Sequence, residues 1–434
     1  ANVKLEYSTD GGTTYPNLIT ASTPAAAGSY SWTVPDAISA TVRVRITNVA
    51  DATVTSSSGS NFKIRGAVTL TVPNGGETWI VGENRNITWT KIGTIANVKL
   101  EYSTDGGTTY PNVITASTGA AAGTYAWVVP DSVSATVKVK ISDASDTTVS
   151  DTSDANFAIK GSLTVTAPNG GEVWGVGTSK TITWTKAGTF ATVKLEYSTD
   201  NFVTASLITA STDAAAGTYA WTVPDNISST VKVRVTSTAD VTVVDTSDAN
   251  FKIVGSLTVT APNGGEKWGV STVQNITWTK TGSIANVKLE YSRNGTFSDD
   301  ALSTTVKVRI TDTGDATVTD ASDAAFTILA GFTLSSPNGG EVWTVGSSQS
   351  IAWTTGGTVP NVKLEYSTDG GSTYPNVIIA STPNTGTFSW TVPDNISATV
   401  RVRVSDVSNT DAFRASNTNF KIRGAFALTV PNGG

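Results

Sequence analysis

The sequence has 434 residues and contains no cysteine, no histidine and no methionine. Without thiols there is no disulfide, no thiolate nucleophile and no zinc–thiolate site. Without imidazole no Ser-His-Asp or Cys-His mechanism can run, because its base is missing. Any metal must be a hard cation held by oxygens, such as calcium. These absences point away from an enzyme. Charge is sparse too: 15% of residues are charged, against about 25% in ordinary domains. The net charge is −6, so there is no polybasic footprint for nucleic acid or an anionic membrane. No apolar run approaches the roughly 18 residues of a membrane span. Ala1 opens the sequence with no Met, no basic stretch and no apolar leader, and the expectation is a mature segment.

What is present is repetition. Pro-Asn-Gly-Gly starts at Pro73, Pro168, Pro262, Pro337 and Pro431, at spacings of 95, 94, 75 and 94 residues. Around it runs one consensus: L-T-V-x-x-P-N-G-G-E-x-W, I-T-W-T, V-K-L-E-Y-S, Y-x-W-T-V-P-D, T-V-K-V-R-I and N-F-K-I. A period this long is a small domain rather than a solenoid turn. Within it the apolar period is 2. Val98, Leu100 and Tyr102 alternate with Lys99 and Glu101, and Val137, Val139 and Ile141 alternate with Lys138 and Lys140. That is the pattern of half-buried antiparallel strand. About seven short strands per copy predict an all-β chain of tandem immunoglobulin-like or fibronectin-III-like β-sandwich modules in a rod. In the copy 66–160 the strands are expected at 68–72, 86–90, 97–103, 110–115, 124–129, 136–142 and 156–160.

No Cys pair can fill such a core, so tryptophan is its expected replacement. The candidates are Trp79, Trp89 and Trp127, then Trp174, Trp184 and Trp221, then Trp343, Trp353 and Trp390. Trp79 is expected under the Pro-Asn-Gly-Gly turn.

The span from Leu70 to Ile159, and its copies, resembles the Kre9/KNH-like immunoglobulin-like module of bacterial and fungal surface proteins. The residues that carry the resemblance are Pro73, Asn74, Gly75, Gly76, Glu77, Trp79, Gly82, Ile87, Thr88, Trp89, Trp127, Val129, Pro130 and Asp131. It implies a secreted or cell-surface protein in which the modules are spacers or wall-associated pieces. Inside the module, residues 103–110 (S-T-D-G-G-T-T-Y) resemble the Asp-box, S-x-D-x-G-x-T-W, and recur at 8–15 and 367–374. The Asp can accept backbone N–H groups and the glycines permit φ > 0, so a structural hairpin turn is expected rather than a sialidase element. The copy at 198–202 lacks the glycines.

The joints between copies hold about one glycine each, at Gly66, Gly161, Gly255, Gly331 and Gly424, with no Pro-rich or Ser/Gly-rich linker. Six segments are expected: a partial module at 1–65 lacking its first strands, full modules at 66–160 and 161–254, a shortened module at 255–329, a full module at 330–423, and the opening strand of another at 424–434. Either a parent chain continues both ways, or the last strand of one chain completes the first module of the next. The shortened module has lost its Y-x-W-T-V-P-D strand. It is either a strand-acceptor groove or a closed, degenerate module.

Candidate glycosylation sequons lie at Asn86, Asn226, Asn275, Asn294 and Asn395. Asp143, Asp146, Asp151 and Asp154 cluster late in one copy, as do Asp312, Asp315, Asp320 and Asp323. Calcium at the joints would fit oxygen ligands, but the spacing differs in the copy with Asp240, Asp245 and Asp248, and solvated loop acids are expected. The doublets Arg43/Arg45, Lys138/Lys140, Lys232/Arg234, Lys307/Arg309 and Arg401/Arg403 face Glu6, Glu101, Glu196, Glu290 and Glu365, so cross-strand ion pairs are expected. The functional expectation is a structural, non-enzymatic extracellular or cell-surface protein. It would be a fibre, filament or stalk segment that self-associates into a homopolymer through joints and strand complementation. The alternative is an adhesin or cell-wall binder recognising cell-surface polysaccharide.

Overall fold

A computed structural model describes residues 1–293 and 303–426. They group into two compact units. One comprises Ala1–Glu172, Lys180–Trp221 and Thr230–Phe251, and the other Val173–Ser179, Thr222–Ser229 and the described residues from Lys252 onward. Asn294 and residues 427–434, which include most of the expected opening strand, lie outside the described residues.

The second copy, in the first unit, carries nine strands rather than seven: β1 Ala67–Val72, β2 Thr78–Ile80, β3 Asn84–Ile92, β4 Asn97–Ser103, β5 Asn112–Gly119, β6 Thr124–Val128, β7 Ser134–Asp143, β8 Ser150–Thr152 and β9 Phe157–Lys160. One sheet runs β6-β3-β1. The other runs β5-β4-β7-β9-β2, with β8 on β7. The chain therefore changes sheets between β1, antiparallel to β3, and β2, parallel to β9. That switch, with two sheets face to face, is an immunoglobulin-like sandwich. The two extra strands have three residues each, too few to show a period.

Pro-Asn-Gly-Gly-Glu is the device that makes the switch. Glu77 accepts from the Asn74 and Gly75 N–H groups at 2.8 Å each. Asn74 donates to Asp154 at 2.7 Å and accepts from its N–H at 2.9 Å. Ser153 Oγ donates to the Pro73 carbonyl at 2.8 Å. Gly75, at φ 127°, lies so close to Ala155 that a Cβ would sit 2.5 Å from the alanine Cβ. No side chain fits there.

The core lies between the sheets. Val98, Leu100, Val137, Val139 and Ile141 are fully buried on its inner faces, as apolar alternation on a pleated strand dictates. All nine tryptophans expected in cores are buried. Trp79 sits on β2, and its ring meets Trp127 at 5.8 Å and Phe157 at 5.0 Å.

In the third copy, Ser162–Ala167 pairs with Ser179–Ala187, and Thr192–Ser198 with Ser206–Asp213 and Ser228–Ser237. In the second unit, Val173–Gly175 runs parallel to residues 252–254. The fifth copy repeats both sheets of the second. The first copy has one five-stranded sheet. The fourth has a two-stranded sheet, Ser256–Ala261 with Thr277–Thr281, and a five-stranded one. Gly331 falls inside the strand Gly331–Ser336, so the junction residue there is Ala330 rather than the glycine.

Candidate functional site

The most regular arrangement of functional-looking side chains lies where one copy meets the next. The Asp of V-P-D ends the β6 segment and reaches the residue after a glycine in the following copy. Thr94 donates its N–H and Oγ–H to Asp36 at 2.8 and 2.5 Å. Thr189 does the same to Asp131 at 2.9 and 2.5 Å. Ser283 does the same to Asp225 at 2.9 and 2.5 Å. Each carboxylate thus closes a two-pronged clamp. The Thr94 hydroxyl, then its N–H, hold Asp36 below the ordinary carboxylate pKa, and Ser283 acts likewise on Asp225.

The glycine before each clamped residue has φ of 82°, 87° and 86° at Gly93, Gly188 and Gly282. At Gly188 a Cβ would come 2.9 Å from the Gly161 Cα, so neither glycine tolerates a side chain. A second contact is ionic. Arg65 lies 3.3 Å from Asp146, Lys160 3.3 Å from Asp240, and Lys252 3.8 Å from Asp315. The three acids are held below their ordinary pKa first by the hydroxyls of Thr148, Thr242 and Thr317, and further by these cations.

At the joint before the fifth copy the described residues show no counterpart of the Arg65–Asp146 ion pair. Leu329 stands where Lys160 does, and Asn409 replaces the loop Asp, while Asp300, 58 residues before Thr358, lies outside the described residues. An ion pair of exposed residues, Lys267 with Asp411, stands there instead.

The late acidic residues are not free loop acids. Asp151 accepts from the Leu70 N–H at 2.8 Å, and Asp245 from Val165 at 2.7 Å, tying the first strand of each copy to its hairpin. Asp320 does the same for Val259 at 2.7 Å. Asp154, Asp248 and Asp323 hold the Pro-Asn-Gly-Gly asparagines. Asp143 and Asp312 cap their own loops. Among the described residues no group of three or more His, Cys, Asp or Glu could hold a metal ion.

The Asp-box loops are tight turns. Asp105 accepts from the Ser103 hydroxyl at 2.5 Å, the Thr109 N–H at 3.0 Å and the Thr109 hydroxyl at 2.6 Å. These bonds hold Asp10, Asp105 and Asp369 far below the usual range, the serine hydroxyl contributing most. The third copy keeps the turn without its glycines: Asn201 and Phe202 take φ of 57° and 64°, and Asp200, at a pKa of about 2, still binds Ser198 and Thr204. Phe202 also stacks 4.2 Å from Arg234, as Tyr15 does on Arg45 at 4.2 Å and Tyr374 on Arg403 at 4.3 Å. The aromatic has moved into a glycine position and kept its partner.

Those arginines bind the facing glutamates: Arg45–Glu6 at 2.9 Å, Arg234–Glu196 at 2.8 Å, Arg309–Glu290 and Arg403–Glu365 at 2.7 Å. Glu101 pairs with Lys99 on its own strand instead. Burial pushes Glu365 up, but hydrogen bonds from Lys363 and Arg403 outweigh it and leave its pKa below 4.5. Of the sequons, Asn86, Asn226, Asn275 and Asn395 are exposed. Asn395 already donates its side-chain amide to the Tyr366 hydroxyl.

The joint clamp was absent from the sequence reading. Its signal is a constant separation of 58 residues between an exposed Asp and an exposed Thr or Ser, seen three times.

No protein-family model matches the chain, and no curated protein matches it. Solved structures similar to it include Sidekick-1 immunoglobulin domains 1–5, at 8% identity and a TM-score of 0.24, covering 98% of this chain and 93% of that one. Fibronectin(III)-like modules of CbhA from Clostridium thermocellum align at 19% identity and a TM-score of 0.17, covering 43% of this chain and 94% of theirs. The N-terminal four Ig domains of Dscam1 isoform 6.44 align at 11% identity and a TM-score of 0.17, covering 83% and 100%. The fold assignment stands on the strand order and register described above.

Proposed function

We propose that this chain is a structural, non-enzymatic segment of an extracellular or cell-surface fibre, filament or stalk. The segments 1–65, 66–160, 161–254, 255–329 and 330–423 act as its building units, and self-association is its chemistry. The observation that carries this reading is the clamp at Asp36, Asp131 and Asp225, repeated with the same donors and nearly the same distances. A chain selected for a reactive site has no reason to keep its joints alike. A chain selected to join equal units does. The Kre9/KNH-like pattern around Pro-Asn-Gly-Gly-Glu-x-Trp supports a surface location, as do the Thr-rich exposed faces. Polysaccharide binding draws less support, because stacking on sugar needs exposed aromatic faces and nine of the tryptophans are buried.

Electron microscopy of the 434-residue protein at neutral pH tests the reading. Continuous assemblies of regular repeat are expected, unchanged by a calcium chelator. Isolated particles at every concentration would overturn the fibre and leave the adhesin. Assemblies that dissolve in chelator alone would place calcium in the assembly.

A further inference from the structure

Among the described residues the fourth copy is open along one edge. In the second copy, residues 104–133 supply β5 and β6. In the fourth, residues 293–302 stand in their place, and the described residues hold no counterpart of either strand. The counterpart of β3, Thr277–Thr281, pairs with Ser256–Ala261 and is exposed at every residue. The core behind it is uncovered. Trp278 is 37% exposed where Trp89 is 4%, Leu289 is 43% where Leu100 is 0%, and Tyr291 is 43% where Tyr102 is 8%. A free strand edge beside uncovered aromatics is the arrangement that takes up another chain's strand.

The chemistry of the occupant is written in this chain. In the other copies the place is filled by an extended segment with an aromatic, one intervening residue and Trp: Tyr125 and Trp127, Tyr219 and Trp221, Phe388 and Trp390. In the second and fifth copies it pairs with the neighbouring β3 strand. The first copy carries the same segment at 29–34, with Tyr30 and Trp32, and there it pairs with no strand. Tyr30 is 44% and Val34 58% exposed, while Trp32 rests on Tyr7 at 5.2 Å.

We propose that residues 29–34 of a second copy of this chain add to the open edge of the fourth repeat, antiparallel, in the register of β6 on β3. The second copy pairs Thr124 with Thr88, Tyr125 with Ile87 and Ala126 with Asn86. The same register sets Ser29 against Thr277, the first residue of that strand, and Tyr30 and Ser31 against Ile276 and Asn275, which precede it and which the added segment would draw into the sheet. Trp32 then exchanges Tyr7 for Tyr291, a like-for-like swap between equivalent sites, which is a low-cost route to association. The proposal rests on the self-association of the functional reading and names its site.

Because the chain has no cysteine, a mixed-disulfide experiment is clean. Full-length Ser31→Cys and Asn275→Cys, both at exposed positions, are mixed and oxidised. The control replaces Asn275→Cys with Ser350→Cys, whose strand edge is already paired with Ser389. A heterodisulfide at least tenfold above the control is expected, and an added peptide of residues 28–36 should suppress it. Cross-linking no greater than the control overturns the proposal. If assemblies still form in that case, self-association survives and only this site fails. If the variants neither cross-link nor assemble, both readings fail. A heterodisulfide that the peptide leaves undiminished also overturns the strand-addition geometry.

Discussion

At the scale of single residues, the fold is held by carboxylates that accept backbone N–H groups. Alternation said which residues face inward at Val98, Leu100 and Tyr102, but it is silent on polar side chains. The Asp151–Leu70 and Asn74–Asp154 contacts join residues about eighty positions apart, and nothing local marks them. Their pH signature is definite. Asp10, Asp105, Asp200 and Asp369 have folded pKa values below the ordinary 3.8. The unfolded chain therefore binds more protons as pH drops below about 4, and stability is lost in that direction. With no histidine to titrate, the melting temperature should stay flat between about pH 5 and 8 and then fall steadily towards pH 2; calorimetry across that range checks it. The switch turn has a steric prediction. Gly75→Ala puts a methyl group into Ala155 and should cost about 1–3 kcal/mol, as overpacking does, read from the denaturant midpoint.

At the scale of strands, the three-residue elements Thr78–Ile80 and Ser150–Thr152 escaped notice because a period of 2 needs more residues to declare itself. Trp79 nonetheless depends on the first of them. Once β2 joins the second sheet, its indole meets Trp127 and Phe157, and Trp127 also meets Tyr102 at 5.2 Å. Trp127→Ala removes the ring that links these aromatics and should cost roughly 3–5 kcal/mol. In the full chain one transition of the melt should drop, while those of the other copies hold. A uniform shift would mean that the copies unfold as one. The fourth copy illustrates the reverse case. Its loss of the Y-x-W strand was plain from spacing, whereas the resulting exposure of Trp278 needed three dimensions to see.

At the scale of the chain, the repeat itself was legible because tetrapeptides recur, but the joints were not, because their bonds link exposed polar residues of different copies. Asp131→Ala removes both bonds from Thr189. Each sandwich should melt within about 2 °C of its original value, since the clamp lies outside both cores, yet limited proteolysis near Gly161 should accelerate several-fold. In the unmodified chain the first cut between copies should fall near Ala330, where Leu329 and Asn409 stand in place of an ion pair such as Lys160–Asp240. Mass spectrometry of the earliest fragments reads both outcomes.

The parallel pairing of the second and last strands of a copy has a mechanical consequence. The chain reaches the one through β1 and leaves the repeat just after the other. Tension along the chain therefore drags the two in opposite directions along their lengths, and their hydrogen bonds resist in shear, all at once rather than one by one. The bonds concerned run from Ala158 to Glu77 and from Val81 to Lys160 in the second copy. The fourth copy keeps the same pair, from Thr327 to Glu266 and from Val270 to Leu329, at 2.9 Å each. What it has shed lies off this load path. A repeat can thus open an edge to a neighbour and still transmit pull through the same short ladder as its intact siblings.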